Sequence, residues 1–353
     1  MAFFQKENVR IAGISACVPD TIVRNDQDVV GSTNYDAKSF VQATGCYERR
    51  FTKFLTTSDL CYAAAEKLLT DLKWSKGDID ALVFVSQTHD YIEPATSCIL
   101  QDRLGLSKEC YALDLSLGCS GWVYGLSTAS SLISNNGIKK VLLLAGEAKT
   151  KGDENYPLFG HAGTATAIEY DDNPDGLKFH FGTDGSSFDA IIIPDGGARN
   201  QFTPSSFNEE TIDGRIYNRL QTRMKGMDVF SFGISVAPKS IKKLCEHFEI
   251  DYKSYDYILL HQANQQMNNF ILKKLKIDAQ KSPSCIDKFG NTSSASIPLT
   301  VVTQLNDIKN AKVICCGFGI GLSWGTVAFE MKDIVVSELV EVSNDLSKNK
   351  YVI

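Results

Sequence analysis

One cysteine lies where a thiol could act as a nucleophile. Cys119 stands in the run Leu115-Ser-Leu-Gly-Cys-Ser-Gly-Trp122, where an apolar strand pattern gives way to a helix pattern with small residues. The unpaired N–H groups and the dipole at the start of a helix favour negative charge, so a thiol there can supply thiolate near pH 7. The flanking Gly118 and Gly121 let the backbone pass close to the sulfur and to a bound acyl group. The sequence predicts an acyl-accepting nucleophile, and a buried small hydrophobic side chain is the alternative.

A histidine and an asparagine follow later in the chain, at positions where partners of the thiol could lie. His261 ends the apolar run Tyr257–Leu260, so we expect it at the carboxyl edge of a strand, where open α/β sheets form ligand sites. Asn291 lies in the small polar turn 290–296, which could present its amide without steric interference. A structural role in a turn is the alternative for both residues.

A glycine-rich run near the end of the sequence, Cys316-Gly-Phe-Gly-Ile-Gly-Leu-Ser-Trp-Gly325, resembles a dinucleotide-binding pattern. However, it lacks a following helix pattern and enters a strand-like segment over 326–329 instead of opening a βαβ unit. An acyl-binding turn fits better, because backbone N–H groups exposed by glycines can stabilise a thioester oxyanion.

The elements that must position these residues fall into two series. Short apolar runs, each bounded by polar turns and followed by a helical pattern, predict buried parallel strands. A turn signal, Asn173-Pro-Asp-Gly176, separates the series, and the run 80–87 resembles the run 256–262, which indicates two related α/β halves. We expect a first half over 1–172 with the cysteine, a second over 173–331 with the histidine and asparagine, and a packed extension over 332–353. The predicted strands are 9–17, 81–87, 111–115, 141–146, 165–170, 177–181, 190–194, 257–260, 313–316 and 326–329, and the predicted helices are 58–72, 94–104, 120–135, 227–247, 265–275 and 293–305.

The composition argues against several function classes. A formal net charge of −6 argues against a general nucleic-acid surface, because phosphate binding needs clustered Lys and Arg. No stretch reaches about 18 uninterrupted apolar residues and no signal peptide is evident, so we expect a cytoplasmic protein without membrane insertion. The 10 cysteines form no C-x-x-C pair and have no histidine in metal spacing, which predicts reduced thiols and neither metal nor cofactor. Cys315 and Cys316, inside an apolar run, are expected to serve packing.

These residues together resemble the β-ketoacyl-acyl-carrier-protein synthase III family, the initiating condensing enzymes of bacterial fatty-acid synthesis and members of the thiolase superfamily. The resemblance spans nearly the whole chain, and the order and spacing of the motifs make it specific. It rests on 9–19, Thr44-Gly-Cys-Tyr-Glu-Arg-Arg-Phe51, the Cys119 segment, Phe159-Gly160, His261-Gln-Ala-Asn264, 290–296 and 317–325. The resemblance implies a homodimer with the α/β thiolase fold, in which two related halves form a five-layered αβαβα sandwich.

The resemblance also implies a role for each site residue. Cys119 would be acylated, and His261 and Asn291 would donate hydrogen bonds to the enolate formed when a malonyl unit loses carbon dioxide. The backbone N–H groups of Cys119 and Ile320 would form the oxyanion hole. Asn264, Phe318 and Gly319 would line the substrate site. The acyl donor would be acyl-coenzyme A or an acyl carrier protein, which is also the expected partner protein.

Several positions depart from the family pattern. The Trp and Arg that clamp the coenzyme A adenine match Ser39 and Ala43, and a phosphate-side Arg matches Asp153, which argues against coenzyme A recognition. The other departures are Gln266 and Ser231 in place of a carrier-docking Arg and Lys, and His161 in place of the acidic residue of Phe-Gly-Asp-Gly, while Lys273 and Lys274 are retained.

Glu93 stands where the family usually has an apolar residue that reaches into the partner's acyl pocket. Long-chain olefin-pathway thiolases place a glutamate there, and a loop glutamate facing solvent is the alternative. The motifs 261–264 and 290–296 favour decarboxylative condensation with malonyl-carrier protein. Non-decarboxylative Claisen condensation with Glu93 as base and acyl transfer to an oxygen or nitrogen acceptor stay open. The intact Cys119, His261 and Asn291 argue against a catalytically silent subunit.

Overall fold

Two mixed β-sheets form the frame of the protein. A computed structural model describes residues 2–26, 36–148, 156–172, 175–212 and 215–343. In chain order the strands are β1 (Ala2–Lys6), β2 (Val9–Pro19), β3 (Ile22–Arg24), β4 (Glu48–Arg50), β5 (Ala81–Val85), β6 (Tyr111–Leu115), β7 (Lys140–Glu147), β8 (Ala162–Tyr170), β9 (Leu177–Thr183), β10 (Ile191–Ile192), β11 (Glu210–Ile212), β12 (Arg215–Tyr217), β13 (Arg223–Met224), β14 (Tyr257–Leu260), β15 (Ala311–Gly319), β16 (Ser323–Met331), β17 (Val335–Val336) and β18 (Val340–Val342). The first sheet has 7 strands, in the order β17-β2-β8-β7-β5-β6 with β18 also on β2. The second has 5 strands, in the order β1-β9-β16-β15-β14.

The strand directions agree with the prediction only in part. Strand β5 runs parallel to β6 and β7, and β14 runs parallel to β15. In contrast, β2 and β7 pair antiparallel with β8, and β16 pairs antiparallel with β9 and β15. The prediction of parallel strands is therefore wrong for the runs 165–170, 177–181 and 326–329, whose described pairings are all antiparallel. It is right in part for the run 9–17, because β2 also runs parallel to β17 and β18. A strand buried on both faces is an unbroken apolar run whichever way its neighbours point, so the pattern could not give the direction.

Helices cover both sheets and fill the space between them. They are α1 (Ala37–Thr44), α2 (Thr57–Leu72), α3 (Thr96–Leu104), α4 (Gly121–Leu132), α5 (Gly226–His247), α6 (Gln265–Leu275), α7 (Ile286–Phe289) and α8 (Ser296–Gln304). Trp122 of α4 and Ile297 of α8 pack in one core with Val83 and Val313 of the two sheets. On the outer faces, α2 and α3 pack on the first sheet, and α5 and α6 pack on the second. These contacts build the five-layered αβαβα sandwich that was expected.

The predicted helices all occur, with ends shifted by less than a turn. Only the predicted strand at 190–194 is wrong as a sheet element, because its apolar residues form the short β10, which pairs with β13 outside the main sheets. The segment 199–222, which has no clear periodicity, contains the small hairpin β11–β12. In the part of the chain that the structure covers, no helix is both long and apolar enough to cross a membrane.

The two halves begin their corresponding strands in the same way. Before β5, the Asp80 N–H donates to the Lys140 carbonyl at 3.0 Å, and the Asp80 carboxylate accepts from the Lys140 N–H at 3.0 Å. Before β14, Asp256 makes the same two bonds to the Lys312 backbone, at 3.0 and 2.8 Å. This shared geometry supports the internal relation predicted from the runs 80–87 and 256–262.

Both ends of the chain join the sheet of the opposite half. Strand β1 pairs with β9 in the second sheet, while β17 and β18 run along β2 in the first. After residue 331 the chain pairs with the first sheet through β17 and β18, as far as Val342. The boundaries at 172 and 331 remain predictions, since residues 173–174 and 344–353 lie outside the described ranges.

Candidate active site

The cysteine predicted as nucleophile lies in the short connection between β6 and α4. Its side chain is half-buried. The backbone of Gly319 packs directly against it, because a Cβ at this glycine would lie 2.6 Å from Cys119 Cβ and 3.0 Å from Sγ. Real Cβ atoms do not approach so closely, so only glycine allows the turn 319–322 to touch the nucleophile.

A pair of buried serines joins the start of α4 to this turn. Ser120 Oγ and Ser323 Oγ are 2.7 Å apart, and Ser323 Oγ donates to the Ile320 carbonyl at 2.9 Å. Because the Ser323 proton is used in that bond, Ser120 must donate to Ser323. The residue after the nucleophile therefore fixes the peptide that follows Ile320, which orients the whole turn.

His261 directly follows β14, as the sequence predicted. It is 1% exposed, its backbone N–H donates to the Cys316 carbonyl at 2.9 Å, and its ring Nδ1 lies 2.8 Å from Ser296 Oγ. Burial lowers the pKa of the imidazole to about 3, while a hydrogen bond to the Ser293 backbone acts in the opposite direction. The ring is therefore neutral at pH 7 and can donate one N–H without carrying charge.

Asn291 is held at both its backbone and its amide. Its N–H donates to the Leu158 carbonyl at 2.8 Å, and its carbonyl accepts from the Gly160 N–H at 3.1 Å. The side-chain Oδ1 accepts from the Ser293 N–H at 2.9 Å, which leaves Nδ2 as the end of the amide available to donate elsewhere. Ser293 has φ 52° and places its Oγ 3.8 Å from Cys119 Sγ, so this turn also touches the nucleophile.

One cavity of about 320 Å³ collects these groups. Cys119, His261 and Asn291 all line it, although they come from three separate parts of the sequence. The residues predicted to bind substrate or form the oxyanion hole line the same cavity: Asn264, Phe318, Gly319 and Ile320. Its other walls include the apolar Phe40, Ala43, Met224, Val229 and Phe230 and the polar Gln87, Glu147, His161, Thr222 and Ser293. The structure thus brings the predicted site together, with Glu93 as the exception.

Glu93 lies on an exposed loop beyond β5, and it is not part of the cavity wall of its own chain. Asp153 falls outside the described residues. His161 does line the cavity, where its Nδ1 accepts from the Thr52 N–H at 3.2 Å. It therefore ties the segment after β4 to the site.

The thiols other than Cys119 do not line this cavity. All 10 cysteines lie in described parts of the chain and form no disulfide there, and of these Cys119 is the one that lines the cavity. Burial raises the pKa of the Cys316 thiol to about 12, and it also raises the pKa of the Cys315 thiol well above its ordinary value. The expected packing role of these two residues is confirmed. Among the described residues, no group of at least 3 His, Cys, Asp or Glu side chains is placed to hold a metal ion.

Sequence reasoning missed several residues that shape the site. Glu147, Gln87, Ser293 and Ser296 were not predicted, although each lines the cavity or holds a residue that does. A signal existed for Gln87, because it lies two residues beyond the end of β5, and His261 follows the end of the related β14. Nothing in the sequence distinguished the serines, since their role depends on which groups the folded chain places opposite them.

Comparison with known proteins identifies the family. Two family models match, 3-oxoacyl-[acyl-carrier-protein (ACP)] synthase III over residues 113–185 and the corresponding C-terminal model over residues 245–331. β-Ketoacyl-[acyl-carrier-protein] synthase III of Rhodopirellula baltica is 31% identical over 351 residues, covering 92% of this chain and 98% of the relative. The chain belongs to the 3-oxoacyl-[acyl-carrier-protein] synthase III family.

Solved structures of such synthases confirm the fold. The 3-oxoacyl-(acyl-carrier protein) synthase of Burkholderia xenovorans matches with a TM-score of 0.89 and 34% identity, over 97% of this chain and 99% of that one. The synthase III of Pseudomonas aeruginosa matches with a TM-score of 0.80 and 26% identity, over 93% and 99% of the two chains. This synthase III therefore has the thiolase fold and is a condensing acyltransferase.

Proposed function

We propose that this synthase III transfers an acyl group to Cys119 and then extends it with a malonyl unit on a carrier protein. The Cys119 thiolate attacks the donor thioester carbonyl, and the donor thiol leaves. The malonyl carbon–carboxylate bond then breaks, carbon dioxide departs, and its bonding electron pair forms an enolate. The enolate carbon attacks the acyl carbonyl on Cys119, and the thiolate leaves as the β-ketoacyl product forms. Covalent catalysis thus divides one difficult condensation into two easier steps.

The observation that carries the proposal is the pairing of a neutral histidine with an oriented amide beside the nucleophile. An enolate oxygen needs hydrogen-bond donors that are already in place. When the Ser296 hydroxyl donates to His261 Nδ1, the neutral ring carries its proton on Nε2, which would donate to the thioester oxygen once substrate is bound. Asn291 Nδ2 supplies the second donor. The N–H groups of Cys119 and Ile320 would stabilise the oxyanion of the attack, since both residues line the same cavity.

The cavity wall favours a donor recognised through its pantetheine arm, as on a carrier protein. Ala43 offers no group that could stack on adenine, and the Ser39 hydroxyl is already bonded to the Asp36 carboxylate at the start of α1. Phe40, Val229 and Phe230 present apolar surface instead. An arm without a nucleotide can use this surface, whereas coenzyme A would leave its adenine without a clamp.

We infer that the active form is a homodimer. Strand β6 ends the first sheet, with Tyr111 45% exposed and the rest of the strand only half-buried, which is an edge suited to pairing with a second copy. Near it, Ile92 is 99% exposed at the tip of the loop that carries Glu93. The base of this loop is fixed, because Ser58 Oγ donates to the Asp90 carboxylate at 2.7 Å. A fixed loop with an exposed apolar tip is suited to enter the cavity of the partner.

The first step is tested by intact-mass spectrometry after mixing the protein with acyl-coenzyme A and acyl-carrier-protein donors. We expect an adduct of the acyl mass with carrier-protein donors, which Cys119→Ala abolishes. Cys98→Ala is the matched control, because Cys98 is an exposed thiol on α3 outside the cavity. An adduct that survives in Cys119→Ala, or no adduct from any donor, would contradict the proposal.

The second step is tested by mixing the acylated enzyme with malonyl-carrier protein and measuring carbon dioxide and β-ketoacyl product. We expect one carbon dioxide for each product, and Asn291→Ala should reduce carbon dioxide release about 100-fold through loss of an enolate donor. Glu93→Ala should retain this reaction. If product forms from two acyl thioesters without malonyl substrate and disappears in Glu93→Ala, the non-decarboxylative reaction is the correct one. An ester or amide product would instead identify acyl transfer to oxygen or nitrogen.

A further inference from the structure

The wall of the cavity next to the nucleophile carries the carboxamide of Gln87. Gln87 lies just beyond β5, and a Cβ added at Gly118 would be 2.6 Å from Gln87 Oε1 and 2.7 Å from Ile320 Cγ2. The carboxamide therefore packs on the residue before Cys119 and beside the turn that carries Ile320. Within the described ranges, its oxygen and nitrogen make no hydrogen bond with the protein, and the side chain is exposed to solvent.

A buried carboxylate holds Gln87 in this position. Glu147 is 3% exposed, and its Oε1 accepts from the Gln87 N–H at 2.8 Å. Its Oε2 accepts from Thr88 Oγ1 at 3.0 Å, and Thr88 Oγ1 lies 2.6 Å from Thr57 Oγ1 on α2. The backbone at residues 87 and 88 is thus fixed from two sides. A fixed backbone limits where the carboxamide can go, so the group is held ready at the wall.

The acyl group on Cys119 must occupy space beside this carboxamide. A purely hydrocarbon chain would displace water from the amide and offer no hydrogen bond in return, which disfavours binding. A hydroxyl or carbonyl oxygen near the thioester would replace that water. Sites built to hydrogen-bond a substrate hydroxyl discriminate strongly against analogues that lack it, whereas apolar walls discriminate weakly.

We propose that Gln87 is a specificity-determining residue that selects an acyl group with a hydroxyl or carbonyl oxygen close to the thioester, for which a 3-hydroxyacyl group is the probe. This inference rests on the proposed function, since it concerns the group that Cys119 accepts. The oxygen accepts from Gln87 Nε2, and a hydroxyl also donates to Oε1. The substrate class is then a short oxygenated acyl thioester, distinct from the plain acetyl or straight-chain primer that an apolar pocket would take.

The test compares two acyl donors of equal chain length. Butyryl-pantetheine and each enantiomer of 3-hydroxybutyryl-pantetheine are mixed with the protein, and the rate of the Cys119 adduct is followed by intact mass. We expect kcat/KM for the better hydroxy enantiomer to exceed that for butyryl by about 10-fold or more. Gln87→Met keeps the length of the side chain without the amide, and it should reduce this ratio to about 1. Gln280→Met, at an exposed position far along the chain, should leave the ratio unchanged.

Each outcome decides between the two proposals. If the wild type acylates equally with both donors or prefers butyryl, the role of Gln87 is overturned while the acyl-transfer function stands. The same holds if Gln87→Met slows both donors by one factor, because that marks a merely structural residue. If neither donor acylates the wild type although acyl-carrier protein does, the hydroxy donor is repeated on the carrier, with the same ratio expected. If no donor of any kind acylates Cys119, both proposals are overturned.

Discussion

Acid should destabilise this synthase through His261, and the size of the effect can be worked out from its burial. The pKa of the ring is about 3 in the folded protein against 6.5 as the reference value for an exposed histidine. Because the folded pKa is the lower one, the unfolded chain binds the proton first as the pH falls. Stability is therefore fully present above about pH 6.5 and is lost progressively toward pH 3. Integrating this linkage from pH 7 to pH 5 gives a loss of about 2 kcal/mol from His261 alone.

The measurement is urea unfolding at pH 7, 6 and 5 and one protein concentration, for the wild type and His261→Gln. The variant should lose about 2 kcal/mol less than the wild type over this range, whatever its stability at pH 7. Burial also lowers the pKa of His180, to about 4, but that contribution is present in both proteins and cancels in the difference. His247→Gln serves as the control, because His247 lies exposed at the end of α5. If the unfolding free energies of the wild type and His261→Gln fall by the same amount between pH 7 and pH 5, the reasoning is refuted.

Three further predictions follow from the site. Carbon dioxide release from malonyl-carrier protein should show no inflection near pH 6.5, because His261 stays neutral there; an inflection that His261→Gln removes would show a charged ring. Gly319→Ala should reduce acylation about 100-fold, since its Cβ would lie 2.6 Å from Cys119 Cβ and displace the nucleophile; single-turnover acylation checks this, and wild-type rates would contradict it. Ser323→Ala leaves the buried Ser120 hydroxyl without its acceptor and should cost about 1–3 kcal/mol of unfolding free energy, measured in urea, together with a lower kcat. A Ser323→Ala variant with unchanged stability and kcat would show that the turn is held by other contacts.

The sequence predicted the elements better than their arrangement. Helix α5 and helix α6 were predicted nearly to the residue, because an amphipathic pattern of that length has one interpretation. The direction of β8 was not predictable. The run 162–170 is buried on both faces for most of its length, and such a pattern is the same for parallel and antiparallel neighbours. Strand β1 was missed altogether. It is short and partly exposed, and it forms a strand by pairing with β9, which is distant in the sequence.

For the site, residue type and position at the edge of an element carried the prediction. His261 directly follows an apolar run, and Cys119 lies four residues beyond the end of another, so both are near strand ends, where ligand sites form. Asn291 needed the family resemblance, because a polar turn of this kind is common. The orientation of its amide depends on the Ser293 N–H, and the protonation state of His261 depends on burial. A sequence motif predicts neither property, because both depend on how the folded chain surrounds these residues.

The exchange of terminal strands between the two sheets has a consequence for synthesis of the chain on the ribosome. Residues 335–342 supply the outer partners of β2, so this edge stays open while more than three hundred residues are being made. The first half therefore emerges with an unpaired strand edge, a surface prone to associate with other chains. Meanwhile β1, which precedes every other described strand, is made well before its partner β9. Cutting the chain between its halves would give two fragments that each lack strands held by the other, so the first sheet is complete only once residue 342 has been made.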